Sequence, residues 1–371
     1  MSETLKSPVR VGIIGCGQIA QHHMRNYAKM PDVRMVAACD IIEERAAKAQ
    51  QDFNIPCRHV KFRELLARDD IDAVDVCLHN NLHAPVTIAA LKAGKHVYCE
   101  KPMAGSYCDA LAMFKTAQRC KRRLHIQLGT LYANETQAAR ELIEAGELGE
   151  VYYARVTGFR RRGRPYVDGY GSENFVRKSV AGGGALYDMG VYHIAQMLYL
   201  LGNPAPVRIT GKTFQKLDMD AARRKFSGYS VEEMAVGFVR FEGDLTMDVI
   251  EAWAVNLDSF EGSFLVGDRA GVRLNPFGFF RAYGHLDVSG SANMDAARYR
   301  WNNVRGDGIY YSDSQQHWIS ALLGRCELLP TAAIALNTML ISEGIYMAAQ
   351  RNCEIAAGEV QRSSKSTALP V

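Results

Sequence analysis

Apolar positions along the chain follow two different rhythms. Up to about residue 128, short unbroken apolar runs at 9–14, 33–40, 73–78, 96–100 and 125–128 alternate with amphipathic stretches. The stretches begin after Gly-Cys-Gly and run through Met30, then recur behind residue 42, over 85–93 and over 106–119. Runs that are apolar on both faces, separated by helices, predict a doubly wound parallel sheet of the Rossmann type covered on both sides.

Beyond about residue 150 the pattern changes. Runs at 151–159, 207–214, 234–241, 245–255 and 260–266 lie close together, joined by short turns such as Glu242-Gly243-Asp244. They predict an α+β domain with a large, mostly antiparallel open sheet, with a helix over 185–201 packed on it. A long helix over about 331–351 is expected near the domain interface, and residues 362–371 read as a loose tail. The expected division is 1–130 for the first domain and 131–371 for the second, which would bind substrate and mediate oligomerisation.

Composition narrows the setting. A chain of 371 residues has room for two cores. A net charge of +4 gives no general reason to expect nucleic acid, and the basic run Arg160, Arg161, Arg162, Arg164 is too local to supply one. The apolar stretches 185–201 and 331–350 carry Asp188, His193, Asn337 and Glu343, so both read as buried helices rather than membrane spans. Nine cysteines without CxxC pairs suggest a reducing compartment, and the N-terminal residues lack the apolar core of a signal peptide. A cytoplasmic protein without a metal site is the expectation.

Chemistry concentrates at one edge of the first sheet. Gly15-Cys16-Gly17-Gln18-Ile19-Ala20 sits between the first strand and its helix. Gly15 suits a tight turn, Gly17 allows close approach of a pyrophosphate, and the helix start offers amide donors, a dinucleotide fingerprint. Asp40 closes the second strand, where an acid meets ribose hydroxyls. Facing a 2′-phosphate about 5 Å away, it would cost about 3 kcal/mol, so NAD is expected over NADP, with Ile41 and Ile42 alongside and no neighbouring cation. Leu78, Asn80, His83, Glu100 and Gln127 join the cofactor set because they lie at or beyond the carboxyl ends of the other strands. Lys101, between a buried strand and Pro102, would be destabilised as a cation beside a positive nicotinamide and shifted toward proton transfer near neutral pH. By position alone it fits a surface lysine equally well.

Gly15–Ala20, the 78–83 segment, Ala93-Gly94-Lys95-His96-Val97, Glu100-Lys101-Pro102 and Gly182-Gly183-Gly184-Ala-Leu-Tyr-Asp188-Met-Gly190 together resemble the Gfo/Idh/MocA family, the glucose–fructose oxidoreductase and inositol dehydrogenase type. The resemblance implies hydride transfer between NAD and a hydroxyl or ketone of a sugar, glycoside or polyol. It also implies a catalytic role for Lys101 and Asp188 and a cis Lys101–Pro102 peptide. Tyr192 takes the family's histidine position and His193 is adjacent, so either could serve in proton transfer; ordinary helical geometry favours Tyr192. Leu131 stands where many relatives carry arginine. Arg160, Arg162, Tyr166 and Asp168, in a polar aromatic loop, suit a polyhydroxylated substrate together with Lys101, Asp188 and His193. Two other readings stay open: an NAD-retaining glycosidase acting by transient oxidation, and a non-catalytic NAD-binding regulator. A homodimer or homotetramer formed through the open sheet is expected.

Overall fold

The computed structural model describes residues 4–371; the first three residues of the N-terminal segment lie outside the described residues. The first domain is a six-stranded parallel sheet of β1 (Val9–Ile14), β2 (Val33–Cys39), β3 (Cys57–His59), β4 (Ala73–Val76), β5 (His96–Cys99) and β6 (Leu124–Ile126), in the order β3-β2-β1-β4-β5-β6. The order reverses beside β1, and there the carboxyl ends of β1 and β4 open a crevice. Helices α1 (Gln18–Tyr27), α2 (Glu43–Phe53), α3 (Phe62–Leu66), α4 (Asn80–Lys92) and α5 (Tyr107–Cys120) connect the strands. The short β3 escapes the periodicity argument because three residues, Cys-Arg-His, carry no recognisable pattern.

The second sheet has nine strands. Its centre is β7 (Val151–Phe159), β8 (Pro206–Phe214), β9 (Met234–Phe241) and β10 (Thr246–Ala252). All pairings are antiparallel except β10 against β7, which sets Glu251 opposite Gly158. Four short strands beyond the expected five, among them the exposed hairpin of Gly278–Tyr283 and Leu286–Gly290, complete it.

The helix Thr331–Arg351 is long and apolar enough to cross a membrane, but it is mostly buried inside the protein. It touches β6 and α5 on one side and β8, β9 and the helix Val191–Leu200 on the other. Ile334, Leu340, Ile341 and Ile345 are almost fully buried along it; each contributes about 1.5–3 kcal/mol relative to exposure. The chain also crosses back to the first domain. In the helix Ser314–Leu322, Trp318 stacks near Tyr98 and His125, and Ser314 Oγ accepts a 3.0 Å bond from the Tyr98 hydroxyl. The final residues do not hang free. Thr367 N donates to Asp109 Oδ2 (2.9 Å) and Leu369 N to the Asn81 carbonyl (3.0 Å), because the serines and threonines of the tail find acceptors on α4 and α5. All nine cysteines are unpaired.

Candidate active site

A cleft of about 530 Å³ lies between the two sheets, lined by Gln18, Ile19, Leu78, His79, Asn80, Glu100, Lys101, Arg160, Tyr170, Asn174, Phe175 and Asp188 among others. Its floor begins at the glycine loop. Gly15 has φ +90°, and a Cβ there would stand 2.3 Å from the Cys77 carbonyl oxygen, so the turn tolerates no side chain. Gly17 starts α1 with no capping side chain and open space where a Cβ would lie, leaving the helix amides free for an anion. Asp40, nearly buried, accepts from Cys16 N (2.8 Å) and Ile42 N (2.9 Å) and so ties the loop to the end of β2. These features fit a dinucleotide. Arg45 on α2 is within electrostatic reach of Cys16 and His79.

The residues after β4 hold the cleft's walls together. Asn80 Nδ2 donates to the Ala181 carbonyl (2.7 Å) and Asn81 Nδ2 to that of Ser179 (2.8 Å), tying the 171–181 segment across the crevice. His83 is fully buried, its ring nitrogens 2.7 Å from the Pro102 carbonyl and 3.0 Å from that of Leu78. Burial holds its pKa down, and it braces the wall without facing the cleft.

Lys101 is the centre. Its peptide to Pro102 is cis. Nζ donates to Asp188 Oδ1 (3.0 Å) and to the Asp188 carbonyl (2.8 Å), and stands 4.7 Å over the Tyr192 ring. Burial opposes its charge, yet Asp188, Tyr192 and Glu100 outweigh burial and push the ammonium's pKa up. The expectation of a depressed lysine is therefore reversed in this state, because the nearest charge is a carboxylate. Burial would raise Asp188, but Lys101 and the Trp253 indole, whose Nε1 donates to Oδ2 at 2.9 Å, hold it below its usual range. Arg160 Nη1 lies 3.7 Å from the same oxygen.

Tyr192 and His193 part company. The Tyr192 hydroxyl donates to Gln127 Oε1 (3.0 Å), and burial pushes the phenol up to about 12. The His193 Nδ1 lies 2.8 Å from Glu251 Oε1; the ring is 28% exposed, whereas Glu251 is fully buried. Burial works against a charged ring, but Glu251 prevails and raises the imidazole's pKa. Residues Leu186–Gly190 form a π-helical turn ahead of Val191–Leu200. Its i→i+5 winding advances less per residue than an α-helix, which changes the facing of residues that follow Asp188. Gly158 makes room: a Cβ there would meet His193 Cε1 at 2.3 Å. Sequence reasoning missed Glu251, and also Glu232, a buried carboxylate that accepts from Gly184 N (2.9 Å), Leu186 N (3.1 Å) and the Tyr346 hydroxyl (2.8 Å) and so anchors the turn carrying Asp188.

The polar loop divides as well. Arg160 lines the cleft and bonds the Tyr170 hydroxyl. Asp168 instead pairs with the buried Arg164 (2.9 Å), which also meets Glu233 (2.9 Å). Tyr166 stacks on Phe226, Arg162 is exposed, and neither lines the cleft. Asn174 and Phe175 take that place, and only tertiary folding reveals it. Leu131 is buried in the core and offers no contact in arginine's stead.

The family model of an oxidoreductase family with an NAD-binding Rossmann fold (GFO_IDH_MocA) matches residues 9–128, and that of the GFO/IDH/MocA C-terminal domain matches 136–273. The chain is 30% identical to the D-glucoside 3-dehydrogenase of Escherichia coli K12 over 339 residues, 86% of this chain and 94% of that protein. It is 27% identical to the myo-inositol 2-dehydrogenase of Thermotoga maritima over 194 residues, covering 52% and 55%. Among solved structures, a levoglucosan dehydrogenase in complex with NADH and L-sorbose superposes with a TM-score of 0.79 at 19% identity, over 95% of this chain and 99% of that one.

Proposed function

The chain belongs to the GFO/IDH/MocA family of NAD-binding oxidoreductases, and from that premise we propose that it oxidises a secondary hydroxyl of a pyranose sugar or glycoside to the ketone, reversibly. The carrying observation is the Lys101 ammonium, fixed by Asp188 over the Tyr192 ring in the same cleft as the uncapped N-terminus of α1. The Gly15–Gly17 loop, the α1 amides and Asp40 would hold NAD. Bound NAD supplies the two-electron oxidant of the reaction.

The protein's own groups do the rest. Lys101 donates to the reacting oxygen and favours its alkoxide character, while Asp188 and Arg160 take neighbouring hydroxyls. His193 accepts the hydroxyl proton at Nε2, and Glu251 at Nδ1 stabilises the imidazolium that forms. Tyr192, its hydroxyl engaged by Gln127, positions the ammonium through its ring. Phe175, Pro165 and the tyrosine ring of residue 170 supply apolar wall on which a sugar face can rest. Such a polar site discriminates strongly against alcohols that lack the matching hydroxyls. The unpaired cysteines fit a reducing compartment such as the cytoplasm.

The test is a panel of glycosides, free sugars, deoxysugars and plain secondary alcohols with NAD, following reduced NAD by absorbance. Glycosides or sugars are expected to lead by at least about a hundredfold in kcat/KM. Equal rates with an aliphatic alcohol would remove the carbohydrate assignment.

A further inference from the structure

Next to Glu100 lies a buried histidine, set between two carboxylates, that the proposed chemistry does not use. His23 projects from α1 and is only 2% exposed. Its Nδ1 lies 2.9 Å from Asp75 Oδ2, and its Nε2 lies 3.0 Å from Glu100 Oε1, an ion contact rather than an aligned hydrogen bond. Glu100 Oε2 accepts from the Lys101 amide at 3.0 Å.

Asp75 is fully buried and Glu100 nearly so. Among the described residues, no other cation is within ion-pair distance of either. Two carboxylates cannot both stay ionised in such a place without a counter-charge. The other groups around the ring do not supply one. Tyr98 meets it edge-on at 5.6 Å, His22 sits 6.3 Å away on the same helix, and Gln315 donates to the His23 carbonyl. The Tyr27 hydroxyl lies toward Asp75, and the Cys77 thiol, 3.4 Å from Nδ1, is pushed up by burial and by Asp75. His23, Asp75 and Cys77 bring three metal-capable atoms within 4.8 Å of one another, but here they bond among themselves.

We propose that His23 is a positioning residue: its imidazolium bridges Asp75 and Glu100, keeps Glu100 ionised against the Lys101 amide, and thereby fixes Lys101 at the reacting end of the cleft. The inference rests on the catalytic reading of Lys101 given above. Charges then alternate from the core to the substrate, Asp75, His23, Glu100, Lys101 and Asp188 in turn. The direction of the His23 shift, well above its ordinary value despite burial, agrees with a permanent charge at neutral pH.

Two arms test it, one independent of turnover. Histidine-labelled NMR of the wild-type protein should show the His23 ring doubly protonated at pH 7 and titrating only above the ordinary histidine range; a neutral ring at pH 7 would overturn the proposal. A crystal structure of His23→Gln should show Lys101 Nζ moved by about 1 Å from Asp188, and Lys101 left in place would overturn it equally. A misplacement of that size costs on the order of a hundredfold in rate. In kinetics, His23→Gln should lower kcat by more than about tenfold with NAD affinity little changed. The lower-pH step of its profile, below the His193 step, should move to higher pH, since Glu100 without its cation binds a proton more readily. Adding Asp75→Asn, which removes the competing carboxylate, should move that step back. Lower thermal stability with kcat and pH profile unchanged would mark His23 as merely structural and end the proposal. If His23→Gln does not fold, the wild-type NMR and the double variant decide. If the wild-type protein oxidises no sugar, the functional reading fails alone, and NMR and crystallography still decide the role of His23.

Discussion

Replacing Lys101 by methionine separates what the ammonium does for the fold from what it does for chemistry. The pair with Asp188 is 3.0 Å long, with side chains 14% and 18% exposed. Removing one partner of a buried pair costs about 3–5 kcal/mol, because the other charge is left behind. Here Trp253 and Arg160 still face Asp188, so the lower end, about 3 kcal/mol, is expected. The sign can be followed with pH. Asp188 has a depressed folded pKa, so its contribution is present above the ordinary carboxylate range and is lost as pH falls through the folded value. The gap between wild type and Lys101→Met should therefore stand at pH 7 and shrink under strongly acid conditions. Denaturant titration at several pH values measures it. A second substitution, Asp188→Leu, should recover most of the loss, since it removes the stranded carboxylate. Turnover should fall by more than about tenfold in Lys101→Met while NAD affinity changes little. Equal stability at pH 7, or a gap that persists at acid pH, would refute the argument that the pair is held by charge.

Three further outcomes are expected. Asp40→Ala should narrow the preference for NAD over NADP; wild-type protein binding both equally in a fluorescence titration would displace Asp40 from the ribose. The oxidation rate should rise with pH through the raised pKa of His193, because only the neutral ring accepts a proton, and Glu251→Gln should shift that limb to lower pH; a kcat/KM profile that does not move would shift the assignment toward Tyr192. The hairpin of Gly278–Tyr283 and Leu286–Gly290 exposes Phe280, Tyr283, Leu286 and Val288, so the protein should self-associate through the second sheet, and Leu286→Lys with Val288→Lys should weaken that association in solution scattering; a wild-type monomer at micromolar concentration would contradict it.

Much of this was legible from local pattern. The parallel sheet announces itself through apolar runs that need no partner to be recognised, and the glycine loop through spacing along one turn. Lys101 is singled out by the Glu100-Lys101-Pro102 motif and its spacing from the glycine loop, since its place at a strand end fits a surface lysine equally well. Glu251, Glu232 and His23 were not legible, because each acts across a distance in sequence. Glu251 meets a histidine from another element, and nothing local distinguishes it from a strand-end acid on β10. Asp168 misled for the converse reason. Its composition suits a sugar, but Arg164 lies four residues earlier and takes the carboxylate first.

The choice between Tyr192 and His193 shows what tertiary structure adds to a periodicity argument. An α-helical count places the fourth residue after Asp188 on its face and the fifth well away. The π-turn breaks that count, and the second domain then assigns partners to both. Gln127, from the first domain, takes the tyrosine hydroxyl, whereas Glu251, near the end of β10, takes the histidine. The Trp253 indole, just beyond the same strand, takes Asp188. The end of β10 thus supplies partners to both Asp188 and His193. Gly158, directly opposite Glu251 on β7, leaves the space the imidazole needs. A side chain at residue 158 would displace the ring, so Gly158→Ala should lower turnover in a reduced-NAD absorbance assay as much as His193→Ala is expected to, although the glycine itself contributes no functional group.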